Sequence, residues 1–267
     1  MLSLCMCKDT KNLYEDSFFI LLIFVVGALA QDAKYCDPAL CQFYTSAGYV
    51  TRPHIACPGN APSSCPAGAA AIPMDAAMQS FILQKHNSYR NALAGGTVNG
   101  FATAARMPEM TWDPELAYIA AQNVMRCVYG HDQCRNTAAF KYAGQNIGYG
   151  TGYSDNKSFV TVIIDNWWNE YKVATQAVLD KYVSTSGVVY GHFTAMAADR
   201  SNKIGCAGVT YNGSTRIFAC NYAYTNMMNE PIYVKGVVRS KCTSGASATY
   251  PNLCSASEPV RAVPVGF

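Results

Sequence analysis

Apolar residues recur with the 3.6-residue period of a helix in three stretches of the chain. The first predicted helix runs from a capping Asp75 to about Arg90, and the third runs from Ser158 to about Lys172. The second begins at Asp113-Pro114-Glu115, where a capping Asp, a proline at the first helical position and an acid in the first turn coincide. The positions predicted to share one face are Met78, Phe81, Ile82, Lys85 and Tyr89 in the first helix, Leu116, Ile119, Ala120, Val124 and Cys127 in the second, and Phe159, Val162, Ile163, Asn166 and Glu170 in the third.

A β-hairpin is predicted after these helices. Residues 204–211 and 215–223 flank Asn212-Gly213-Ser214, a run typical of a tight turn. Counting outward from a three-residue turn sets Cys206 opposite Cys220, which predicts a disulfide across the hairpin. Helices followed by strands with hairpin connections indicate an α+β fold around a mostly antiparallel sheet.

The first 30 residues are predicted to be an export signal. An apolar run over 18–30 ends in Ala28-Leu29-Ala30, a small-x-small pattern typical of a cleavage site. The run is shorter than the roughly 20 apolar residues that span a bilayer, although an uncleaved anchor is the alternative. We therefore expect a mature chain that begins near Gln31 and is secreted, with no stable membrane anchor.

The number of cysteines agrees with export. Ten of the 12 cysteines follow residue 31, and an even number in an exported chain indicates five disulfides. Cys127, His131 and Cys134 would pass for zinc ligands in a cytosolic protein, but export favours disulfides here.

We predict an irregular Cys-rich N-terminal extension over 31–73 and a periodic domain over 74–228. Residues 229–267 form a C-terminal extension in which Cys242 and Cys254 close a small loop.

Charge and the absence of common motifs exclude several classes of function. The formal net charge is +3 and 14% of the residues are charged, with both signs mixed, so no basic stripe indicates a nucleic-acid partner. The sequence contains no GxGxxG, Walker loop, GxSxG or HExxH. Their absence removes the common cofactor-binding, hydrolase and zinc-protease classes, and no cofactor is required by what remains.

Six short strings, in order over residues 80–228, resemble the CAP superfamily of cysteine-rich secretory, antigen 5 and pathogenesis-related proteins. Each string is weak alone, and their order makes the match specific. The segment 35–41 (YCDPALC) also looks like the start of mature antigen 5 proteins, which narrows the resemblance to insect venom-allergen-like or salivary proteins. The six strings are HNSYR at 86–90, MTWDPEL at 110–116, GQNI at 144–147, WWNEY at 167–171, GHFT at 191–194 and FACNYA at 218–223.

The resemblance implies a disulfide-stapled fold with a defined cysteine pairing. We expect a three-layer α-β-α sandwich whose central sheet is mostly antiparallel. The implied disulfides are Cys36–Cys57, Cys41–Cys134, Cys65–Cys127 and Cys206–Cys220, which leave Cys242 to pair with Cys254.

The resemblance also implies a cleft in which two histidines and two acids converge on a divalent metal. The positions that correspond are His131 and His192 for the histidines, and Gln145 and Glu170 for the acids. Gln145 departs from the family pattern, because an amide is not a base and is a poor zinc ligand. We predict His131, Gln145, Glu170 and His192 as ligand-binding residues, with no catalytic residue among them. His131, His192 and Glu170 would hold zinc or copper. The alternative is that the histidines hydrogen-bond Glu170 and Gln145 to brace the fold, the structural role that we assign to His86.

The leading hypothesis is a secreted binding protein rather than a conventional enzyme. It would sequester a small amphipathic ligand (a lipid, a sterol or an amine) or a host protein in an extracellular fluid. Tyr and Met residues around 142–153 and 222–228 would line a groove for such a ligand. The second hypothesis is a metal-dependent redox or hydrolytic activity at His131, Glu170 and His192. A third is recognition of a protein partner by surface loops beside an idle cleft.

Overall fold

The computed structural model describes residues 33–45, 48–60 and 64–259. The predicted export signal lies outside these residues. The helices are α1 (Ala76–Ala94), α2 (Pro114–Val124), α3 (Asn156–Asn169), α4 (Gln176–Asp180) and α5 (Gly191–Ala197), with 3₁₀ turns at Lys34–Cys36, Pro38–Cys41 and Glu170–Val173. The strands are β1 (Gln42–Thr45), β2 (Gly48–Thr51), β3 (Ala70–Ala71), β4 (Thr111–Trp112), β5 (Gly144–Gly150), β6 (Lys203–Tyr211) and β7 (Thr215–Tyr222).

The central sheet is mostly antiparallel, as predicted. Its strand order is β3-β6-β7-β5, and the short β4 adds to β6 in the parallel sense. Side chains alternate between the two faces of each strand, so one set of positions packs on each side. Cys206 and Phe218 lie in the core cluster that contains residues of α1, α3 and α5, whereas Val209 and Ile217 pack with α2. The implied three-layer α-β-α sandwich is therefore confirmed.

An aspartate caps each of the three long helices. The side chains of Asp75, Asp113 and Asp155 each accept a hydrogen bond from the amide three residues later, at 2.9, 2.9 and 2.8 Å. The first two caps and the helices that follow them are confirmed as predicted, although α1 continues four residues beyond Arg90. None of the helices in the described part of the chain combines the length and apolar character needed to cross a membrane.

The predicted hairpin and all five disulfides are confirmed. Strands β6 and β7 pair so that Cys206 faces Cys220 across the ladder, and Asn212 and Gly213 take positive φ angles of 47° and 76° at the turn. The pairings are Cys36–Cys57, Cys41–Cys134, Cys65–Cys127, Cys206–Cys220 and Cys242–Cys254.

The predicted face of the third helix was wrong. Val162 and Asn166 are exposed, and Glu170 belongs to the 3₁₀ turn that follows the helix. The helix buries a different face because both of its tryptophans enter the core. The buried residues are Phe159, Val160, Ile163, Ile164, Trp167 and Trp168. Cys127 is a second correction, since α2 ends at Val124 and Cys127 has a left-handed φ of 56° beyond the helix.

The N-terminal extension is more ordered than predicted. Strands β1 and β2 form an antiparallel hairpin that the sequence analysis did not identify. The extension also packs on the main domain, because Tyr35, Ile55 and Ala56 form a small core with Ile119 of α2.

The described part of the C-terminal extension is irregular. Its described residues, 229–259, form no helix or strand beyond isolated bridges such as Pro108 to Cys254. The Cys242–Cys254 disulfide closes the predicted small loop.

Candidate functional site

Gln145 is the centre of a buried hydrogen-bond network at the start of β5. Its amide nitrogen donates to Asp132 Oδ2 at 2.8 Å and to Asn221 Oδ1 at 2.9 Å. Its amide oxygen accepts from Asn123 Nδ2 at 3.3 Å and from His131 Nδ1 at 2.7 Å. Both donors and both acceptor positions of the amide are therefore occupied.

His131 lies at the solvent end of this network. The residue is exposed, yet partial desolvation is the largest effect on its ring and lowers the pKa below 6.5. Because the amide oxygen of Gln145 only accepts, Nδ1 of His131 carries the proton. The lone pair of the neutral ring is then on Nε2, which is the tautomer that binds a metal through Nε2.

Glu170 holds both the side chain and the backbone of His192. Its Oε1 accepts from His192 Nδ1 at 2.6 Å, and its Oε2 accepts from the backbone amides of His192 and Phe193 at 2.9 and 3.1 Å. The carboxylate therefore caps the first turn of α5 and fixes the ring. Trp167 stacks on the His192 ring with centroids 5.8 Å apart.

A second chain of hydrogen bonds connects His192 to the core. Asn146 Nδ2 donates to the carbonyl oxygen of His192 at 3.1 Å and to the hydroxyl of Tyr222 at 3.2 Å. That hydroxyl lies 3.0 Å from His86 Nε2, while His86 Nδ1 donates to the carbonyl of Ile82 at 2.8 Å. Complete burial lowers the pKa of His86 to about 4. His86 is therefore a neutral structural residue, as expected.

The four predicted site residues thus form two pairs. His131 bonds Gln145, and His192 bonds Glu170. The pairs influence each other electrostatically, because His192 lowers the pKa of His131 further. Five residues that complete these networks were not predicted. Asn146, Asn221 and Tyr222 lie within strings quoted above, and Asp132 directly follows His131. Asn123 lies on a helix of which only the apolar positions were considered.

One group of three metal-ligating residue types is compact in the described part of the chain. Ligand atoms of Cys41, His54 and Cys134 lie within 4.8 Å of one another. The two sulfurs form a disulfide, so neither is a thiolate. His54 Nε2 donates to the carbonyl of Asn136 at 2.7 Å, and Nδ1 accepts from the amide of Ala56 at 3.0 Å. This group cannot hold a metal while the disulfide is intact.

The three predicted metal ligands are not as compact. Within the described residues, the ligand atoms of His131, Glu170 and His192 do not all lie within 4.8 Å of one another. Gln145 and Glu170 each bond Nδ1 of one histidine and so fix the orientation of its ring.

The domain carries two grooves large enough for a small ligand. The larger has a volume of about 500 Å³, and we call it the hairpin groove because β1 and β2 form one wall. Its lining includes Phe43, Tyr44, Tyr49, Arg135, Tyr142 and Met227. Both Tyr- and Met-containing segments that were predicted to line a groove therefore contribute to it. The second, the helix groove, has about 300 Å³ between the starts of α1 and α3, and its lining includes Met78, Phe81, Asn156 and Lys157.

These elements lie in a part of the chain that matches a known protein family. The family model described as "CAP: Cysteine-rich secretory protein family" matches residues 83–222. The chain belongs to the CAP family. Among its relatives, Venom allergen-1 of Aedes aegypti is 41% identical over 257 residues, which cover 91% of this chain and 94% of the relative. The antigen 5 like allergen Cul n 1 of Culicoides nubeculosus is 39% identical over 205 residues, or 74% of this chain and 93% of the relative.

Solved structures show the same CAP fold. The crystal structure of NaASP2 with Zn2+ has a TM-score of 0.58 and 26% identity, and the match covers 72% of this chain and 100% of that chain. The structure of Na-ASP-1 has a TM-score of 0.57 and 26% identity over 66% of this chain and 46% of that chain. This CAP protein therefore has antigen 5-like relatives at about 40% identity over most of its length.

Proposed function

We propose that this CAP protein is a secreted binding protein that sequesters a small amphipathic ligand or a host protein in an extracellular fluid. The hydrogen bonding of Gln145 carries the proposal. An amide stands where the family pattern has an acid, and all four of its hydrogen-bonding positions are used inside the protein. The site is therefore braced and has no free general base at this position.

The hydroxyl nearest to His192 in sequence does not supply a nucleophile. Thr194 is completely buried, and its Oγ1 donates to the carbonyls of Tyr190 and Gly191 at 3.0 and 3.1 Å. A nucleophile must instead lie within hydrogen-bond reach of its base and of the substrate. The domain also carries two grooves of a size that small ligands occupy, and a braced polar site together with these grooves supports binding.

Secretion is part of the proposal. Five disulfides suit a chain that folds in an oxidising compartment. The apolar leader over 18–30 supplies an export route. Expression in insect cells, followed by N-terminal sequencing of protein from the medium, tests this part. A start near Gln31 supports it, whereas retention of the protein in the cell membrane would contradict it.

A broad ligand screen tests the binding function. The secreted protein would be titrated by calorimetry with one lipid, one sterol, one aromatic acid and one aromatic amine. Binding of at least one class with a Kd below about 10 μM supports the proposal. A protein that binds none of them, nor any protein from the extracellular fluid in which it is found, would not be a sequestering protein.

A second candidate function is a metal-dependent redox or hydrolytic activity. One observation favours it: Nδ1 of both His131 and His192 is hydrogen-bonded to an oxygen, which leaves Nε2 of each ring to bind zinc or copper. A bound zinc would act as a Lewis acid, and a bound copper would supply redox chemistry. In this chain Gln145 and Glu170 would fix the orientation of the two rings. The structure of NaASP2 with Zn2+ is consistent with such a site in a relative.

Metal analysis separates the two candidates. The metal function requires a stoichiometric metal and an activity that collapses in the His131→Ala, His192→Ala double variant. The control is Asn166→Ala, an exposed position on α3 that leaves both histidines and their partners in place, and it should retain the metal and the activity. Activity that persists in the double variant would exclude the metal function.

A further inference from the structure

The hairpin groove presents an unusually aromatic wall to solvent. Tyr44 and Tyr49 are 78% and 71% exposed, and their rings pack edge to face with centroids 5.4 Å apart. Phe43, Tyr142 and Met227 complete the apolar lining. Aromatic rings that remain exposed on a short hairpin are suited to contact a flat ring of a ligand.

The hairpin that carries these rings is fixed to the domain. The Cys41–Cys134 disulfide joins the residue before β1 to the opposite wall. On the same wall, Asn136 Nδ2 donates to the carbonyl of Leu40 at 2.9 Å. The backbone amide of Arg52 donates to the carbonyl of Cys41 at 2.9 Å, which continues the β1–β2 ladder. The groove is therefore preorganised, so a ligand need not order the hairpin before it binds.

The charge of the lining selects among ligands. Arg135 is the one charged side chain among the described residues that line the groove, and none of them carries a carboxylate. Arg135 Nε lies 2.9 Å from Asp132 Oδ1, and Nη2 donates to the carbonyl of Asp132. Nη1 has a long 3.4 Å contact with the carbonyl of Ala143, so it retains hydrogen-bonding capacity for a ligand.

Asp132 does not turn the groove into an anionic site. Its side chain is fully buried, and its Oδ2 accepts from Gln145 in the network of the cleft. A protonated amine in the groove would therefore meet Arg135 and no carboxylate, whereas an acid would meet a guanidinium donor.

We propose that the hairpin groove is a binding site for planar aromatic carboxylic acids, with the ring against Tyr44 and Tyr49 and the carboxylate toward Arg135. This inference deepens the proposed binding function and rests on it. It assigns the N-terminal extension a role in ligand recognition beyond that of a disulfide-bonded brace. It also removes aromatic amines from the ligands expected at this groove.

A matched ligand series tests the charge selection. Indole-3-acetate, indole-3-acetamide and tryptamine share one ring and carry a negative, a neutral and a positive side chain. Titration by ligand-observed NMR at pH 7 and low salt should give a Kd for the acid about tenfold lower than for the amide. Tryptamine should bind more weakly than either. Tryptamine binding as tightly as indole-3-acetate would overturn the proposal.

Matched tyrosine variants test the location. Tyr44→Ala and Tyr49→Ala remove exposed rings, so the fold should survive, and each should raise the Kd of indole-3-acetate at least fivefold. The control is Tyr129→Ala, because Tyr129 is also exposed and packs on Tyr149 with the same 5.4 Å centroid distance. It should leave the Kd unchanged.

A variant in the helix groove distinguishes failure of the hairpin groove assignment from failure of the proposed binding function. Lys157→Ala alters that groove and should not change binding of the acid. If Lys157→Ala abolishes binding while Tyr44→Ala and Tyr49→Ala do not, the hairpin groove assignment fails and the proposed binding function stands. If no member of the series binds but another ligand class or an extracellular protein does, only the hairpin groove assignment fails. If nothing binds in any of these experiments, both proposals fail.

Discussion

The effect of substituting a single cleft residue depends on which hydrogen bonds its side chain makes in the folded protein. Gln145 and Glu170 are the two positions that the family resemblance aligned with acids, and their side chains make different hydrogen bonds. The Gln145 amide satisfies two acceptors and two donors around it, while the Glu170 carboxylate accepts three hydrogen bonds at the start of α5. Each arrangement predicts a specific effect of substitution.

Gln145→Glu should destabilise the protein in a pH-dependent manner. The new carboxylate would lie near Asp132 Oδ2, now 2.8 Å from the Gln145 amide nitrogen, so its folded-state pKa should rise above the unfolded value of roughly 4.3. An acid with a raised folded pKa loses stability as pH rises. The variant should therefore be less stable than the parent by about 1 kcal/mol at pH 4 and about 3 kcal/mol at pH 7. Urea unfolding of both proteins at the two pH values measures this difference, and a loss that does not grow with pH would contradict it.

Glu170→Ala should lower the free energy of unfolding by about 2 kcal/mol. Three donors lose their acceptor, and two of them are backbone amides in the first turn of α5. Asn166→Ala is the control, because Asn166 is exposed on the preceding helix, and it should change stability by less than about 0.5 kcal/mol. Equal stability of the two variants in urea would show that the carboxylate does not hold α5.

At the scale of elements, the backbone of α2 packs closely against β6 at Gly205. A methyl group on Gly205 would meet the backbone amide of Ala117 and would lie 2.5 Å from the carbonyl of Asp113. Glycine at this position lets the first turn of α2 approach the strand, which helps to place Asn123 and its partners.

Gly205→Ala should therefore destabilise the protein by more than about 3 kcal/mol, or prevent secretion, because backbone atoms cannot move aside as a flexible side chain can. Gly130→Ala is the matched control, since nothing lies within 4 Å of its added methyl group and its φ is not left-handed. Secretion yield and thermal unfolding of the two variants give the comparison. A normal yield and melting temperature for Gly205→Ala would disprove the close packing.

Elements with a strong local signal were predictable, and elements that depend on distant contacts were not. The register of β6 and β7 follows from the length of one turn, so the Cys206–Cys220 disulfide could be placed from sequence. The hairpin of β1 and β2 could not, because its four-residue strands show no clear hydrophobic period and are held by Cys41–Cys134. The face of α3 was wrong because tertiary packing buries both Trp167 and Trp168.

The cleft residues also depend on contacts between distant parts of the sequence. The four cleft positions came from the family resemblance, and no periodicity could have identified them. The hydrogen bonds that hold these four side chains join residues far apart in sequence. For example, Asn221 of β7 lies opposite Gln145 of β5 and accepts a hydrogen bond from it. The hairpin groove is assembled from three separate segments and could be predicted only in part.

At the scale of the whole molecule, buried histidines make the fold sensitive to acid. Desolvation lowers the pKa of His54 and of His86, the latter to about 4. Because the unfolded pKa is higher, the unfolded chain takes up protons first, and stability falls as pH drops from about 6.5 toward 4. Burial raises the pKa of Asp199 to about 6, which acts in the opposite direction over the same range.

His86→Gln should isolate the largest of these effects. Between pH 7 and pH 4 the parent should lose about 3 kcal/mol more stability than the variant, since only the parent carries the buried imidazole. Urea unfolding at both pH values measures the difference. An NMR titration of His86 in the parent gives an independent value, and a pKa near 6.5 would contradict the account.

We propose that this CAP protein binds a ligand without catalysis at its cleft. Native mass spectrometry of the mature protein, secreted from insect cells and purified without chelator or detergent, tests it most directly. The account predicts ten oxidised cysteines and an additional mass of a small organic ligand that is lost on denaturation. A bound zinc or copper in place of an organic ligand, with substrate turnover that disappears in the His131→Ala, His192→Ala double variant, would contradict it.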